Sequence, residues 1–341
     1  MDMPTAIDKV IRRQDLAQDE MIAVMRIIMS GQATDAQIGG FLVGLRIKGE
    51  TIDEIVAAVT VMRELATPVE VSNANLVDTC GTGGSGSNKF NVSTASAFVA
   101  AAAGVKVAKH GNRGASSNSG SADLLEAAGA SIMLSPSQVA LSIKETGVGF
   151  LFALNHHNAM KHAIGPRKEM IVRTIFNLLG PLTNPAGARR QLIGVYDAKW
   201  TRPVAEVLQA MGSEHVLVVH SNDGLDEISI SAPTHVAELK DGVISEYEIS
   251  PDTFGLSMTP LENLVVSDSQ QSLEKVNEAL SGKGGASDIV AMNAGAAIYV
   301  SGQAKSLVAG VEMARDAIGA GLAKERLKHF VEFTKQLVET S

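Results

Sequence analysis

Beyond residue 75 the chain alternates short apolar strand-type runs with helical ones, and that alternation limits its possible folds more than any other feature. In order these are strand LVDTC (76–80), helix STASAFVAAAAG (93–104), strand VKVAK (105–109), helix SADLLEAAG (121–129) and helix QVALSIKETG (138–147). Strands GFLFAL (149–154) and RQLIGVYD (190–197), helix RPVAEVLQAMG (202–212) and strand HVLVVHS (215–221) follow. Helices placed between strands supply the crossovers that parallel pairing needs, so a mostly parallel sheet covered by helices is predicted. The run HVAELKDGVISEYEI (235–249) differs: two alternating stretches flank Asp241-Gly242, which signals a hairpin.

Residues 1–70 obey a helical period instead. Apolar positions in 19–30 share one face, and Thr34 is placed to cap the helix running towards Arg46. TIDEIVAAVTVMRE (51–64) opens with a Thr-x-x-Glu capping box and stops before Pro68. Residues 169–179 read as a helix ending at Gly180-Pro181, and the last 35 residues read as helices. A length of 341 residues accommodates about two domains. The expected class is α/β: a small helical domain over 1–70, completed by a helical segment near 169–190, and a larger α/β domain over 71–341.

Composition narrows function mainly by exclusion. The single cysteine, Cys80, rules out an intramolecular disulfide framework and a cysteine-built zinc site; it reads as a small buried residue. Neither a basic leader with an apolar core nor an apolar run of about 18 residues occurs, so a soluble cytoplasmic protein without a membrane partner is predicted. The net charge of −8 argues against a nucleic-acid partner. Yet that charge is uneven. The 44 residues 79–122 hold no Asp or Glu, where the mean frequency of 37 in 341 would give about five. The same window carries Lys89, Lys106, Lys109 and Arg113 together with eight glycines. A cation-biased, glycine-punctuated segment built on regular structure suits an anionic ligand.

Strand 76–80 leads into Gly81-Thr82-Gly83-Gly84-Ser85-Gly86, and Asn91-Val92-Ser93-Thr94 then opens the next helix. Strand, glycine loop and helix N-terminus together can hold phosphate, because glycine lets backbone N–H groups approach and the helix end carries partial positive charge. The P-loop pattern G-x-x-x-x-G-K-[ST] is absent. A second cluster follows in Lys109-His110-Gly111-Asn112-Arg113, Ser116-Ser117 and Ser119-Gly120-Ser121-Ala122-Asp123. His156-His157 continue a strand-type run; on an extended strand their rings would point opposite ways, which disfavours a metal pair. His215, His220 and His235 read as ordinary sheet or loop residues.

Taken together, GTGG, FNVSTA, VAKHGNR with SSNSGSADLLEAAG, NHHNAMKH, RTIFNLLGPLTNP and DGLDEIS stand in one order over nearly the whole chain. In these motifs the sequence resembles the anthranilate phosphoribosyltransferase family. The resemblance implies a helical domain joined to a nucleoside phosphorylase/phosphoribosyltransferase-like α/β domain, a homodimer, and transfer of phosphoribosyl from its pyrophosphate to anthranilate with Mg²⁺, as a pair of ions per subunit. Carried over residue by residue, it assigns the pyrophosphate loop to Gly81, Gly84, Ser85 and Lys89, and helix-terminal donors to Asn91, Val92, Ser93 and Thr94. A basic and hydroxyl wall would comprise Lys109, His110, Gly111, Asn112, Arg113, Gly114, Ala115, Ser116, Ser117 and Ser121. Arg167 would hold the anthranilate carboxylate, which a guanidinium fork fits, with Gly81, Asn112, His110 and Pro181 around the ring. Ser93, Asp226 and Glu227 would hold magnesium, a hard cation suited to their oxygens.

Three departures stand out. The family's loop reads GTGGDG, whereas Ser85 replaces the acid here, and Lys89 stands where a hydroxyl residue is usual. AIGPRKEMIV (163–172) also differs from the commoner pattern around Arg167. Two alternatives share the scaffold: a pyrimidine nucleoside phosphorylase, which the retained Asp226-Glu227 and KHGNR context disfavour, and a non-catalytic nucleic-acid-binding relative, which the acidic balance disfavours.

Overall fold

The computed structural model describes residues 1–72, 74–83, 86–114 and 117–339. Helices α1 (Met3–Ile11), α2 (Gln18–Met29), α3 (Asp35–Lys48) and α4 (Ile52–Glu64) form the N-terminal part. Thr34 and Thr51 cap α3 and α4 as expected, each accepting from the backbone N–H three residues on, while Gln37 and Glu54 accept from the cap N–H in return. Glu54 does more than cap. Its buried carboxylate also accepts from Leu16 N at 2.9 Å and pairs with Lys48 Nζ at 2.9 Å, tying α3 and α4 to the loop between α1 and α2.

The α/β part runs β1 (Leu76–Gly81), α5 (Val92–Ala102), β2 (Lys106–Gly111), α6 (Ser121–Ala127), α7 (Pro136–Thr146), β3 (Val148–Phe152), α8 (Ala153–His156), α9 (Lys161–Met170) and α10 (Phe176–Leu182). Then come β4 (Arg190–Gly194), α11 (Thr201–Ala210), β5 (His215–Ser221), β6 (Thr234–Lys240), β7 (Val243–Ile249), α12 (Ser269–Ala279), α13 (Gly284–Ser301), α14 (Leu307–Gly319) and α15 (Leu322–Glu339). The sheet order is β3-β2-β1-β4-β5-β6-β7, parallel through β5 and antiparallel at β6 and β7. The predicted hairpin turns on Asp241 and Gly242, both at positive φ (51° and 76°), the conformation a two-residue turn between Lys240 and Val243 requires. The expected α/β class with a mostly parallel sheet therefore holds.

Two large apolar clusters cover the sheet, and a third, smaller one packs α7 against β1, β2 and β3. Of the large pair, one packs α5, α13, α14 and α15 on one face. The other joins the N-terminal helices to Ala163 of α9, to Phe176, Leu178, Leu179 and Leu182 of α10, and on to Ile193, Val216, Val218, Ala237 and Leu239 of the sheet. Three local expectations need correction. Residues 169–179 are not one helix: α9 stops at Met170, Ile171 turns into the left-handed region (φ 52°), and α10 starts at Phe176. Pro181 lies inside α10 rather than ending it. Near the end of a seven-residue helix, proline removes one interior bond. Thr183 Oγ1 donates to Leu179 O and Gly180 O, and Gln191 Nε2 to Pro181 O, so side chains satisfy the last carbonyls. His156 likewise belongs to α8, not to an extended strand, and the two neighbouring rings find separate partners: Thr67 O for His156, the His110 ring for His157.

Candidate active site

After β1 the chain adds β2 and β3 on one side, then returns to place β4 on the other. The reversal opens a crevice at the carboxyl ends of β1 and β4, where open α/β sheets bind ligands. These strands end in Gly81 and Gly194, which are paired in register. The loop carrying Asp226 crosses both ends. A Cβ on Gly194 would lie 1.6 Å from Asp226 O, and one on Gly81 2.7 Å from Asp226 Oδ2. Only glycine lets that loop settle here. Gly81, Gly83 and Gly86 also fit the spacing G-x-G-x-x-G, but α5 begins only at Val92, so the glycines do not open a helix as a dinucleotide fingerprint demands.

Asp226 is held from two sides: Gly83 N donates to Oδ2 at 3.0 Å and Lys89 Nζ to Oδ1 at 3.0 Å. Lys89 Nζ also stands 3.9 Å from Glu227 Oε2. Burial works against the charge on Asp226, yet the Lys89 ammonium and the Gly83 N–H hold its carboxyl below the ordinary range. Burial wins at Glu227, pushing it up to about 7 despite the pull of Lys89. Glu227 Oε2 is buried without a hydrogen-bond partner among the described residues. No cluster of three His, Cys, Asp or Glu that could hold a metal occurs among those residues. The oxygens of Ser93, Asp226 and Glu227 do match magnesium in type, and the unpartnered Oε2 offers it a lone pair.

On β2, the buried Lys109 reaches across to β1 and α5: Nζ donates to Thr79 O at 2.6 Å and Ser93 Oγ at 3.2 Å. The cation therefore sits beside the α5 N-terminus, where the helix dipole adds positive potential. Val92 is buried behind this point, and the buried Thr94 Oγ1 has no partner among the described residues. Asn91 makes no side-chain cap. Its amide instead braces the loops, accepting from Ser119 Oγ at 2.8 Å and Ser272 Oγ at 2.7 Å and donating to Ser119 O at 3.1 Å.

His110, next along β2, donates its backbone N–H to Asp78 Oδ1 at 3.0 Å, and its ring Nδ1 lies 3.2 Å from Gly180 O beside Pro181. Burial drives the ring down to about 3, so it is neutral. The carbonyl fixes the proton on Nδ1 and leaves Nε2 as an acceptor, buried and unpartnered among the described residues. Gly111 is packed tightly, since a Cβ there would come within 3.0 Å of Phe150 and Ser121. Asn112 Oδ1 accepts from Arg113 N at 2.8 Å. Asp123 gathers the following loop, accepting from Gly114 N at 2.8 Å and Gly120 N at 2.9 Å, and Ser117 Oγ donates to Ser119 O at 3.3 Å. Arg113 turns to this outer side, where its exposed guanidinium meets Glu126 and Asp123 and lies over Phe152. Gly84, Ser85, Ala115 and Ser116 lie outside the described residues.

Arg167 projects from α9 over the Phe176 ring, 5.2 Å from its centroid, and burial lowers its pKa. Among the described residues no carboxylate pairs with it. Because Phe176, Gly180 and Pro181 share α10, this short helix links Arg167 to His110. Sequence reasoning gave no role to Asp78, Asp123 or Gly194. Asp78 had a signal, an acid inside an apolar strand run, where burial pushes it up to about 6. Cys80 is half-buried rather than buried as expected, and desolvation pushes its thiol up to about 12, far from a nucleophile.

Two family models match the chain: the glycosyl transferase family helical bundle domain over residues 4–66 and the glycosyl transferase family a/b domain over 73–324. An anthranilate phosphoribosyltransferase of Marinomonas sp. (strain MWYL1) is 60% identical over 338 residues, 98% of each chain. One of Cellvibrio japonicus (strain Ueda107) is 59% identical, over 99% of this chain and all of that one (100%). Among solved structures, the anthranilate phosphoribosyltransferase of Thermus thermophilus superimposes with a TM-score of 0.91 at 42% identity, covering 97% of this chain and 99% of that one. The Saccharomyces cerevisiae enzyme in complex with PRPP and Mg gives 0.89 at 26% identity, with 98% of each chain covered. With identity near 60% sustained from end to end, the chain belongs to the anthranilate phosphoribosyltransferase family.

Proposed function

We propose that this protein transfers the phosphoribosyl group of 5-phosphoribosyl 1-pyrophosphate to the amine of anthranilate, releasing pyrophosphate, as a step of tryptophan biosynthesis. One observation carries the reading. At the sheet's reversal point the buried Lys109 sits beside the α5 N-terminus, and α10 connects the neighbouring His110 to Arg167, with which no carboxylate pairs among the described residues. The first part suits a doubly phosphorylated sugar, the second an aromatic acid.

Lys109, the α5 N-terminus and the N–H groups of the glycine loop would bind the phosphates. Arg167 would take the anthranilate carboxylate, and Asn112 and His110 would flank the amine and ring. An aromatic amine is neutral at pH 7, so no strong base has to activate it, and the neutral Nε2 of His110 offers a weak acceptor for its N–H. The barrier lies in breaking the C1–O bond, through a transition state with oxocarbenium character. Charge grows on the departing pyrophosphate, where fixed cations stabilise it, while Arg167 holds the amine in line with C1. Ser93, Asp226 and Glu227 would hold Mg²⁺, which when bound neutralises charge on the leaving group.

We read the active form as a cytoplasmic homodimer with helical and α/β domains meeting near residue 70, and without a nucleic-acid or membrane partner. The net charge of −8 disfavours a nucleic-acid partner, and among the described residues no helix is long and apolar enough to cross a membrane. Incubation with anthranilate, phosphoribosyl pyrophosphate and Mg²⁺ should extinguish anthranilate fluorescence as the product forms. Unchanged fluorescence with folded protein would overturn the assignment.

A further inference from the structure

Lys89 occupies an unusual place for a lysine. Its side chain is only 11% exposed, and it reaches the two carboxylates proposed above as metal ligands, which are themselves 8% and 12% exposed. Nor is it there by the chance swing of a long side chain. The Lys89 backbone forms an antiparallel bridge with Val265, and hydrogen bonds flank it on both sides: Phe90 N to Leu264 O and Val266 N to Asn88 O, each 2.9 Å. Asn88 adopts a left-handed conformation (φ 47°) that turns the chain into this bridge. The ammonium is thus delivered by a pinned backbone to a fixed point between Asp226 and Glu227.

We propose that Lys89 is a tethered counter-ion that fills the cation position between Asp226 and Glu227 in the donor-free protein, so that a divalent ion binds this pair only by displacing the ammonium. The inference rests on the metal-ligand reading of Asp226 and Glu227 but concerns a residue outside that set. Two cations cannot share the position. An octahedral ion such as Mg²⁺ needs its oxygens at about 2.0–2.1 Å. The Asp226 oxygen that would supply one of them already accepts from Lys89 at 3.0 Å. The resident charge costs little entropy to place, because its backbone is already ordered, whereas a free ion must be captured from solution.

The test is Mn²⁺ binding to the full chain without donor, followed by the loss of the free-ion electron paramagnetic resonance signal. Wild type should bind weakly at this pair. Lys89→Met, which keeps the buried stem and deletes the charge, should bind about tenfold tighter or more, since a like charge a few ångströms away is removed. Lys89→Arg should stay close to wild type, and Lys89→Met combined with Asp226→Asn should lose the gain. Mn²⁺ should also raise the melting temperature of Lys89→Met, and of Lys89→Gln as a second neutral variant, more than that of wild type. Equal Mn²⁺ affinity in wild type and Lys89→Met, or a Lys89→Arg protein that binds as tightly as Lys89→Met, would overturn the proposal. The fluorescence assay reports separately on the proposed reaction. Anthranilate consumed by a wild type whose Mn²⁺ affinity matches Lys89→Met sinks only the counter-ion, while the expected Mn²⁺ pattern without anthranilate consumption sinks only the reaction.

Discussion

A guanidinium resting on an aromatic ring and paired with no carboxylate among the described residues is a contact half made, and Arg167 is in that state over Phe176. If anthranilate completes it, Arg167→Ala should raise the anthranilate KM about tenfold or more, the cost of one charge-assisted hydrogen-bonded pair, and change the donor KM less than about twofold. Initial rates with each substrate varied in turn decide this; equal effects on both would remove Arg167 from the acceptor pocket. Arg167→Lys should recover little, because an ammonium cannot reproduce the planar fork. Single residues were unevenly legible in the sequence. Lys109 and the acid-free stretch could be read from charge alone, whereas Arg167 needed the family resemblance, since a basic residue in a basic run has no distinguishing mark. Arg113 shows the converse: its charge is plain in the sequence, but its partners Glu126 and Asp123 are set by the fold of the following loop.

At the scale of elements, strand ends matter more than strand interiors. Gly194 closes β4 directly beneath the Asp226 backbone, and a methyl group there would stand inside an atom that cannot move without its loop. Gly194→Ala should therefore lower kcat/KM about a hundredfold, the penalty for shifting a binding group by an ångström or so. An assay beside a circular dichroism melt separates this from unfolding, and near-wild-type turnover would show that the Asp226 loop is not needed in place. The sequence announced the βα alternation and the hairpin because period and turn chemistry are local properties. It hid the break between α9 and α10, because Ile171 is a poor residue for positive φ, and tertiary packing overrode local preference there. It also hid Gly194, an unremarkable residue in an apolar run until another loop lies across it.

Over the whole molecule, protons report how the site is buried. His110 and His157 are driven down to about 3 and about 4 by burial, and His156 is lowered for the same reason. The unfolded chain takes up protons on these rings near pH 6.5, before the folded one does. Their contribution is thus full above pH 6.5 and is lost as pH falls towards the folded values, at up to about 1.4 kcal/mol per pH unit for each ring. Asp78, raised to about 6, and Glu227, raised to about 7, act in the opposite sense, their contributions falling as pH rises from the unfolded values of 3.8 and 4.5 to the folded ones. Between pH 7 and 5 the rings and these two carboxyls therefore pull against each other. The test is differential: compared with wild type, His157→Gln should keep more of its urea midpoint as pH falls from 7 to 5, and an unchanged pH dependence would mean that His157 does not titrate as a buried ring.

The apolar cluster that runs from the N-terminal helices onto the sheet has a spectroscopic consequence. The chain's single tryptophan, Trp200, is buried within that cluster. Its emission therefore senses the seam between the two parts of the chain rather than either part alone. On thermal unfolding, the fluorescence shift should coincide with the loss of far-ultraviolet ellipticity in one transition. A tryptophan shift that precedes the ellipticity change would mean that the helical part peels away from the sheet before either melts.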